Sequence, residues 1–259
     1  MAHQVYENKI LSTKINEMLT TKVNLNQYMT IDTSMTEGAG MTKQVRTYSA
    51  TGAVEELGMG EGNTSGIEIH FDPVEYTVKT YQGKFAFHDE EEMKDPMIVD
   101  AGLEKAAKEM VNTFNALAIA EYDKATLTHS ASAWGFEAVV DAIAKMNLEA
   151  EDGLFLLISP ADQAKFRKSL KDDLKYSEGF ARTGYIGSVA GVPVIISKAI
   201  EAGNGYLATK DAVTVFIKKD TETETARNAD LRHNTYWVRK FGVVALTNAD
   251  KVVKITVAA

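Results

Sequence analysis

Residues 41–72 read MTKQVRTYSATGAVEELGMGEGNTSGIEIHFD, which indicates two polar strands joined by a glycine-rich tip. Five of the fifteen residues at positions 52–66 are glycine, and the flanks, 42–51 and 67–71, alternate with the period of a β-strand. A two-stranded ribbon with nothing of its own to bury is marginal in water. Unless the stretch is a disordered insertion, it predicts an extended β-hairpin that a neighbouring molecule covers. That favours assembly over catalysis.

The composition excludes several classes of protein. The chain has 259 residues, 45% hydrophobic and 25% charged, so it can build one large core or two modest ones. Its net charge of −8 lacks the basic surface of a sequence-specific nucleic-acid binder. The absence of cysteine excludes disulfides, thiolate nucleophiles and thiolate metal ligands. Charged residues interrupt positions 1–19 and no apolar run reaches transmembrane length, so we expect a soluble intracellular product with no membrane partner.

The first third of the chain is predicted to hold an arm and several strands. Apolar positions within residues 1–30 recur as in a partly helical arm that lies on another surface. Alternation at positions 74–78, and again at 85–87 beyond a turn at Gln82-Gly83, indicates strands.

A long helix follows. Asp95 is expected to be the N-cap and Pro96 the first helical residue. Apolar residues then recur every three or four positions to about Ala125, which predicts a helix about 45 Å long.

The remaining pattern predicts a helix, a buried strand and a second helix, and then mostly strands. The first helix has its apolar face at Phe136–Met146, the apolar run Leu154–Ile158 suits a strand buried on both sides, and Ser159-Pro160 caps the second helix. Later segments follow in order: a loop at 171–187, a tight turn at 189–193 leading into 194–196, strands at 206–208 and 213–217, an exposed strand at 221–225, a long strand at 236–246 and a short one at 252–255.

This ordered set resembles a known family. The segments that carry the likeness are GYIGSVAGVPVIIS at 184–197, YLA at 206–208, DAV at 211–213, RNAD at 227–230 and KVVKI at 251–255. Together they are similar to the C-terminal half of tailed-bacteriophage major capsid proteins, which share the Hong Kong 97 capsid fold. The upstream order of elements also looks like that family.

The resemblance implies an α+β chain of the Hong Kong 97 type, with an N-terminal arm, an extended β-hairpin loop, a peripheral domain holding a long spine helix, and an axial domain. The implied boundaries are 1–32 for the arm, 33–72 for the extended loop, 73–128 with 221–246 for the peripheral domain, 129–220 for the axial domain, and 247–259 for a C-terminal strand that returns to either domain.

It also implies a function. The chain would be a structural protein that self-assembles into an icosahedral shell of pentamers and hexamers enclosing phage double-stranded DNA, without reading the sequence of that DNA. The expected partners are further copies of itself, a scaffolding protein, a portal protein and, as a further candidate, a decoration protein. The scaffold is expected to be a separate protein because only about thirty residues precede the extended loop. The protein would reside in the virion capsid after assembly in the host bacterial cytoplasm.

No catalytic, cofactor-binding or metal-binding residue is predicted. The glycine-rich run at 58–62 lacks the Lys-Ser/Thr of a phosphate loop and is more simply a flexible tip. The five histidines, His3, His70, His88, His129 and His233, show no ligand spacing and read as surface residues.

Two groups of charged or polar residues are candidates for contacts between subunits, and ordinary solvent-exposed side chains are the alternative for each. Some members of the family crosslink a lysine of the extended loop to a neighbour's asparagine, so Lys43 with Asn228 or Asn234 is a minor candidate. The acidic run at 89–92 suits a solvated face, the approach to a helix N-terminus or a metal site. A further hypothesis pairs that acidic run with Lys43 or Arg46 of a neighbouring subunit.

Two rival functions stay open. An encapsulin-like nanocompartment would share the fold and enclose a cargo enzyme instead of DNA. A soluble enzyme is the alternative from another class, and it lacks any constellation of acid, base and nucleophile in the sequence.

Overall fold

The computed structural model describes residues 25–148, 153–169 and 187–257. In these ranges the helices are α1 Asp89–Lys94, α2 Ile98–Tyr122, α3 Phe136–Met146 and α4 Pro160–Ser169, with single 3₁₀ turns at Leu25–Tyr28 and Ala249–Lys251. The strands are β1 Thr30–Asp32, β2 Thr42–Thr51, β3 Glu68–Thr77, β4 Lys79–His88, β5 Leu127–Ala131, β6 Leu154–Ile158, β7 Ser188–Val189, β8 Val192–Ile196, β9 Asn204–Thr209, β10 Val213–Asn228, β11 His233–Leu246 and β12 Val252–Val257.

A four-stranded sheet packs against the longest helix. Its strand order is β1-β10-β11-β4, with β1 parallel to β10 and the other pairs antiparallel. The 25 residues of α2 span about 38 Å. Its buried side chains, among them Leu103, Met110 and Phe114, recur at helical spacing, so one apolar stripe faces the sheet. Phe114 meets Tyr81 of β4 with ring centroids 5.2 Å apart.

A six-stranded mixed sheet forms the other layer, in the order β5-β12-β9-β6-β8-β7. All five residues of β6 are buried, as predicted, because both faces of this strand are covered. Leu156 and Ile158 pack with side chains of α3 and α4. Phe155 and Leu157 pack instead in the cluster that contains the buried stripe of α2. The C-terminal end of α2 therefore joins the two sheets through a shared core.

Most predicted elements are confirmed. The long helix, the helix at Phe136–Met146 and the strands after residue 187 all form. Ser159 caps α4, because its Oγ accepts a hydrogen bond from the Asp162 N–H at 3.1 Å. The tight turn at Ala190-Gly191 has positive φ at both residues, 51° and 79°, which joins β7 and β8 as a two-residue hairpin. The predictions for residues 1–24 and for the loop at 171–186 lie outside the described residues.

Three predictions are wrong in detail. Gln82 and Gly83 do not form a turn, since both lie within β4 and pair with β11, and the chain passes from β3 to β4 at Val78 instead. Pairing along the whole strand outweighs the local preference of one glycine.

Helix α2 begins at Ile98, two residues later than predicted. The Asp95 carboxylate accepts a hydrogen bond from the Met97 N–H at 3.0 Å, so Asp95 holds a turn ahead of the helix.

The strand at 221–225 is not exposed on both faces. Thr221 and Thr223 are buried, whereas Glu224 on the opposite face is exposed. Alternation predicts a strand, but which face is covered depends on the packing.

Candidate assembly surfaces

The two strands of the hairpin pair with each other, and among the described residues the hairpin joins the body at its root. β2 and β3 form a separate two-stranded antiparallel sheet with ten residue pairs, from Thr42 opposite Thr77 to Thr51 opposite Glu68. Among the described side chains from Ala50 to Glu75, all are exposed except that of Glu55, which is half-buried. The prediction of an extended hairpin is therefore confirmed.

The root of the hairpin packs on the face of the four-stranded sheet that is turned away from α2. On β10, Val215 belongs to the core of α2, whereas the next residue, Phe216, belongs to a small separate cluster with Met35, Val78 and Ala245. Neighbouring residues on a strand point to opposite faces of the sheet, so this cluster lies on the far face. The expectation that the ribbon has nothing of its own to bury is thus wrong at the root.

Lys43 and Tyr76, which are paired across the two strands, reach this cluster together. The Tyr76 ring stacks on Phe216 with centroids 5.3 Å apart, and its hydroxyl donates to the Leu246 carbonyl at 3.3 Å. Lys43 Nζ lies 5.0 Å from the centroid of the Phe216 ring and donates to the carboxylate of Asp32 and to Ser34 Oγ.

These contacts change the acidity of Asp32. Partial burial acts to raise its pKa, but hydrogen bonds from Lys43 and Ser34 outweigh it and lower the pKa from 3.8 to about 2. The carboxylate therefore stays charged at any pH at which the protein would assemble.

The distal half of the hairpin carries its apolar side chains on the other face. At the root, Tyr76 and Val78 turn toward the body. Farther out on the same face lie Glu68 and His70. On the opposite face Ile67, Ile69 and Phe71 are 59%, 69% and 45% exposed. We call these last three the distal apolar face. It points away from the surface on which the root packs, so the described part of the body does not cover it.

The tip is held by one carboxylate despite its exposure. Glu55 accepts hydrogen bonds from the backbone N–H and the hydroxyl of both Thr64 and Ser65, at 2.7 to 3.0 Å. These bonds, first those of the Ser65 and Thr64 side chains, lower the pKa of Glu55 from 4.5 to about 2. Val54 and Met59, which also belong to the tip, are almost fully exposed.

The acidic run at 89–92 forms helix α1, and most of it is engaged within the chain. The Asp89 carboxylate accepts from Arg227 at 2.6 Å and from Asn234 at 2.7 Å. Glu90 pairs with Arg232 at 3.0 Å. The bonds from Arg227 and Asn234 lower the pKa of Asp89. The run therefore closes the end of the β10–β11 ribbon, which the spacing in sequence does not reveal.

The candidates for contacts between subunits are also occupied. Lys43 bonds within its own chain, Asn234 donates to Asp89, and the Asn228 side chain accepts from the N–H groups of Asp230 and Leu231. These contacts disfavour both the crosslink and the pairing of Lys43 with a neighbour's acidic run. The side chain of Arg46 lies outside the described residues.

In residues 25–148, 153–169 and 187–257, no cluster of three or more His, Cys, Asp or Glu side chains is arranged to hold a metal ion. His88 and His233 face each other with ring centroids 4.9 Å apart, His129 lies 4.0 Å from Asp141, and His70 lies 3.8 Å from Glu68. No described helix is both long enough and apolar enough to cross a bilayer.

Reasoning from the sequence missed two features of this surface, the distal apolar face and the contacts of Lys43. A signal for the first is present, because apolar residues occupy every second position at 67, 69 and 71. The sequence gives no signal for the second, since Asp32 and Phe216 come from other segments.

Comparison with known proteins agrees with this architecture. The family model described as phage capsid protein matches residues 72–255. The major capsid protein of Staphylococcus phage phiMR11 is 29% identical over 136 residues, which cover 51% of this chain and 50% of that protein. The alignment thus spans about half the length of this curated relative.

Solved structures share the fold at low identity. The mature capsid of bacteriophage PhiM1 superposes with a TM-score of 0.73 at 12% identity, covering 92% of this chain and 88% of that one. The holo-SrpI encapsulin complex of Synechococcus elongatus PCC 7942 gives a TM-score of 0.65 at 12% identity, covering 90% and 86%. The fold is therefore that of phage capsid proteins, the Hong Kong 97 type, as predicted.

Proposed function

Since the chain belongs to the phage capsid protein family, we propose that it is the major capsid protein of a phage, a subunit that assembles with identical copies into an icosahedral shell of pentamers and hexamers around double-stranded DNA. This family is one of structural proteins and is not a class of enzyme.

The observation that carries the proposal is the distal apolar face. Ile67, Ile69 and Phe71 are exposed on an arm whose contacts with the described part of the body lie at the root. Burying a large apolar side chain contributes about 1.5–3 kcal/mol relative to leaving it exposed. Three such side chains would contribute roughly 3–6 kcal/mol per arm, since each is already partly covered. Repeated in every subunit, this weak contact would add to the others that hold a shell together.

The division into an arm at 1–32, an extended loop at 33–72, a peripheral domain at 73–128 with 221–246, and an axial domain at 129–220 is part of the proposal. Two observations refine its boundaries. β12 lies between β5 and β9, which supports placing the C-terminal strand with the axial domain. β10 begins at Val213 in the four-stranded sheet, which supports moving residues 213–220 into the peripheral domain.

The proposed partners are a scaffolding protein, a portal protein and a decoration protein, with assembly in the host bacterial cytoplasm and a final place in the virion. The net charge of −8 supports DNA as contents that are enclosed and not tightly bound, because a strongly basic lining would hold the genome and hinder its release.

A nanocompartment of the encapsulin type is the second candidate, and the likeness to the SrpI encapsulin complex favours it. The two functions differ in what the shell holds. We expect particles purified with the other phage proteins to contain nuclease-protected DNA, whereas a compartment would contain a cargo protein.

The experiment that tests assembly is size-exclusion chromatography of the purified chain followed by negative-stain imaging, alone and with the products of neighbouring genes. Closed shells are expected. A compact monomer under all these conditions, with a small-angle scattering profile to match, would contradict the proposal.

A further inference from the structure

The root of the hairpin contains directional polar contacts in addition to its apolar packing, among them those from Lys43 to Asp32 and to Ser34. The ammonium of Lys43 touches three parts of the molecule at once. Asp32 belongs to β1, Ser34 lies in the segment after it, and Phe216 belongs to β10 of the central sheet. Lys43 itself lies at the start of the hairpin.

We propose that Lys43 is a positioning residue, which fixes the direction in which the hairpin leaves the body and ties that direction to β1. The inference rests on the proposed function, since a fixed direction matters for a subunit that must place its distal apolar face on another copy.

The other contacts at the root come from the same small region. Lys218 Nζ donates to the carbonyl of Met35 at 2.8 Å and to that of Gly38, which holds the segment between β1 and β2. The Val78 N–H donates to the Met41 carbonyl at 2.7 Å, which closes the base of the hairpin. All three bonds restrain the backbone beside Lys43, but none of them links the hairpin itself to β1.

Without Lys43 the root would be held by apolar packing and by the neutral hydrogen bond from the Tyr76 hydroxyl to the Leu246 carbonyl, which at 3.3 Å is long, so the direction would be loosely defined. The cluster under the root has four buried members, Met35, Val78, Phe216 and Ala245. Burial of apolar surface has no preferred direction, whereas a charge-assisted hydrogen bond does. Lys43 and Asp32 are each about three-quarters buried, with 24% and 27% of their side chains exposed, so solvent screens the pair only in part.

Because the arm is long, a small change in its angle at the root displaces its far end by a large distance. From Lys43 to Thr51 the strand rises about 27 Å, so a rotation of about 10° at the root moves Thr51 by about 5 Å. Side chains lose contact when their heavy atoms separate beyond about 4.5 Å. Losing the restraint of Lys43 would therefore move the distal apolar face off its partner without unfolding the body.

The test compares Lys43→Met, which keeps the length of the side chain without its charge, with Lys43→Arg, which keeps the charge. Asp32→Asn removes the partner. Lys108→Met is the matched control, because Lys108 forms an exposed pair with Glu104 on α2 at 2.5 Å, away from the root.

The first measurement is amide hydrogen exchange of residues 74–80 in unassembled subunits, because this range lies opposite Lys43 and includes the Val78 N–H that closes the base of the hairpin. The amides of residues 74–80 should exchange about tenfold faster in Lys43→Met and in Asp32→Asn than in the unchanged chain. In Lys43→Arg and in Lys108→Met their exchange rates should match those of the unchanged chain. Combining Lys43→Met with Asp32→Asn should add little to either change, since one contact is lost in both.

The second measurement reports direction. The chain has no cysteine, so Met59→Cys at the tip and Lys105→Cys on α2 accept spin labels at those two positions alone. The distribution of distances between the labels should broaden with Lys43→Met and stay unchanged with Lys108→Met.

Wild-type exchange and an unchanged distance distribution in Lys43→Met would overturn the inference. The inference would also be overturned if Lys43→Met exchanged faster at the root and still formed regular shells in undiminished yield. If the unchanged chain forms no shells, the proposed function fails, while exchange and distance on single subunits still decide whether Lys43 sets the direction of the hairpin.

Discussion

At the scale of single residues, Gly102 shows how one position joins the long helix to the sheet. A Cβ added there would lie 2.5 Å from the Phe85 ring, closer than side chains approach one another. Phe85 cannot easily move, because it stacks on Tyr236 of β11 with centroids 5.0 Å apart. A residue that the pattern marks only as a helix-weakening glycine is therefore required by a contact between layers.

We predict that Gly102→Ala destabilises the protein. Alanine favours a helix over glycine by about 1 kcal/mol, but overpacking against Phe85 costs about 1–3 kcal/mol, so we expect a net loss of up to about 2 kcal/mol. Urea denaturation measures it. Gly83→Ala is the control, since nothing lies within 4 Å of a Cβ there. A Gly102→Ala chain more stable than the unchanged one would show that the ring can yield.

The acidity of Asp32 gives a second prediction at this scale. Its pKa is lowered in the folded protein, so its contribution to the root is complete above pH 3.8 and is lost as pH falls toward about 2. A carbon-13 NMR titration of unassembled subunits should find the Asp32 carboxyl titrating near 2. Lys43→Met should raise this pKa, because burial would then act without its main opposing bond. Titration near 3.8 in both chains would exclude a stable bond to Lys43.

At the scale of elements, the hairpin changes its apolar face along its length. Near the body Tyr76 and Val78 pack inward, while Ile67, Ile69 and Phe71 stand on the opposite face beyond. The alternation of polar and apolar residues in β3 predicts a strand from sequence. Which face is covered, and by what, follows only from where the root is attached.

This change of face predicts different effects for neighbouring substitutions. Ile69→Glu places a charge on the distal apolar face and should abolish shells while leaving the melting temperature of the subunit unchanged. His70→Glu introduces the same charge on the opposite face of the same strand and should permit assembly. Light scattering during assembly and negative-stain images measure both. Equal effects of the two substitutions would mean that the hairpin does not bind through this face.

At the scale of the whole molecule, two sheets share one core and the hairpin stands apart from it. The stripe of α2 packs against the four-stranded sheet, and its C-terminal Tyr122 reaches Phe155 and Tyr206 of the other sheet, at 6.4 and 6.0 Å between centroids. Among the described side chains of the hairpin strands, Val45 and Tyr76 alone join a buried cluster, the one under the root. The described packing therefore places the stability of the subunit in the body, and the role that we propose for the hairpin in assembly belongs to a different part of the chain.

We accordingly predict that replacing residues 50–69 by a two-residue Asn-Gly turn leaves a folded subunit that forms no shells. Its melting temperature should stay within about 2 °C of the unchanged chain, since less than about 1 kcal/mol is involved. Calorimetry and size-exclusion chromatography check the two parts of this expectation. Shells of normal yield, or a large loss of stability, would contradict the separation of roles.

Elements with local signals could be predicted from the amino-acid order: the hairpin from its alternation and glycine-rich tip, the strand Leu154–Ile158 from its unbroken apolar run, and the cap at Ser159. The resemblance of the ordered segments also identified the fold. The contact of Lys43 with Asp32, the pairing of Gln82 and Gly83 within a strand, and the orientation of the distal apolar face became visible in the folded chain alone. These depend on which distant segments meet, because burial and charge pairing act between residues that periodicity along the chain does not connect.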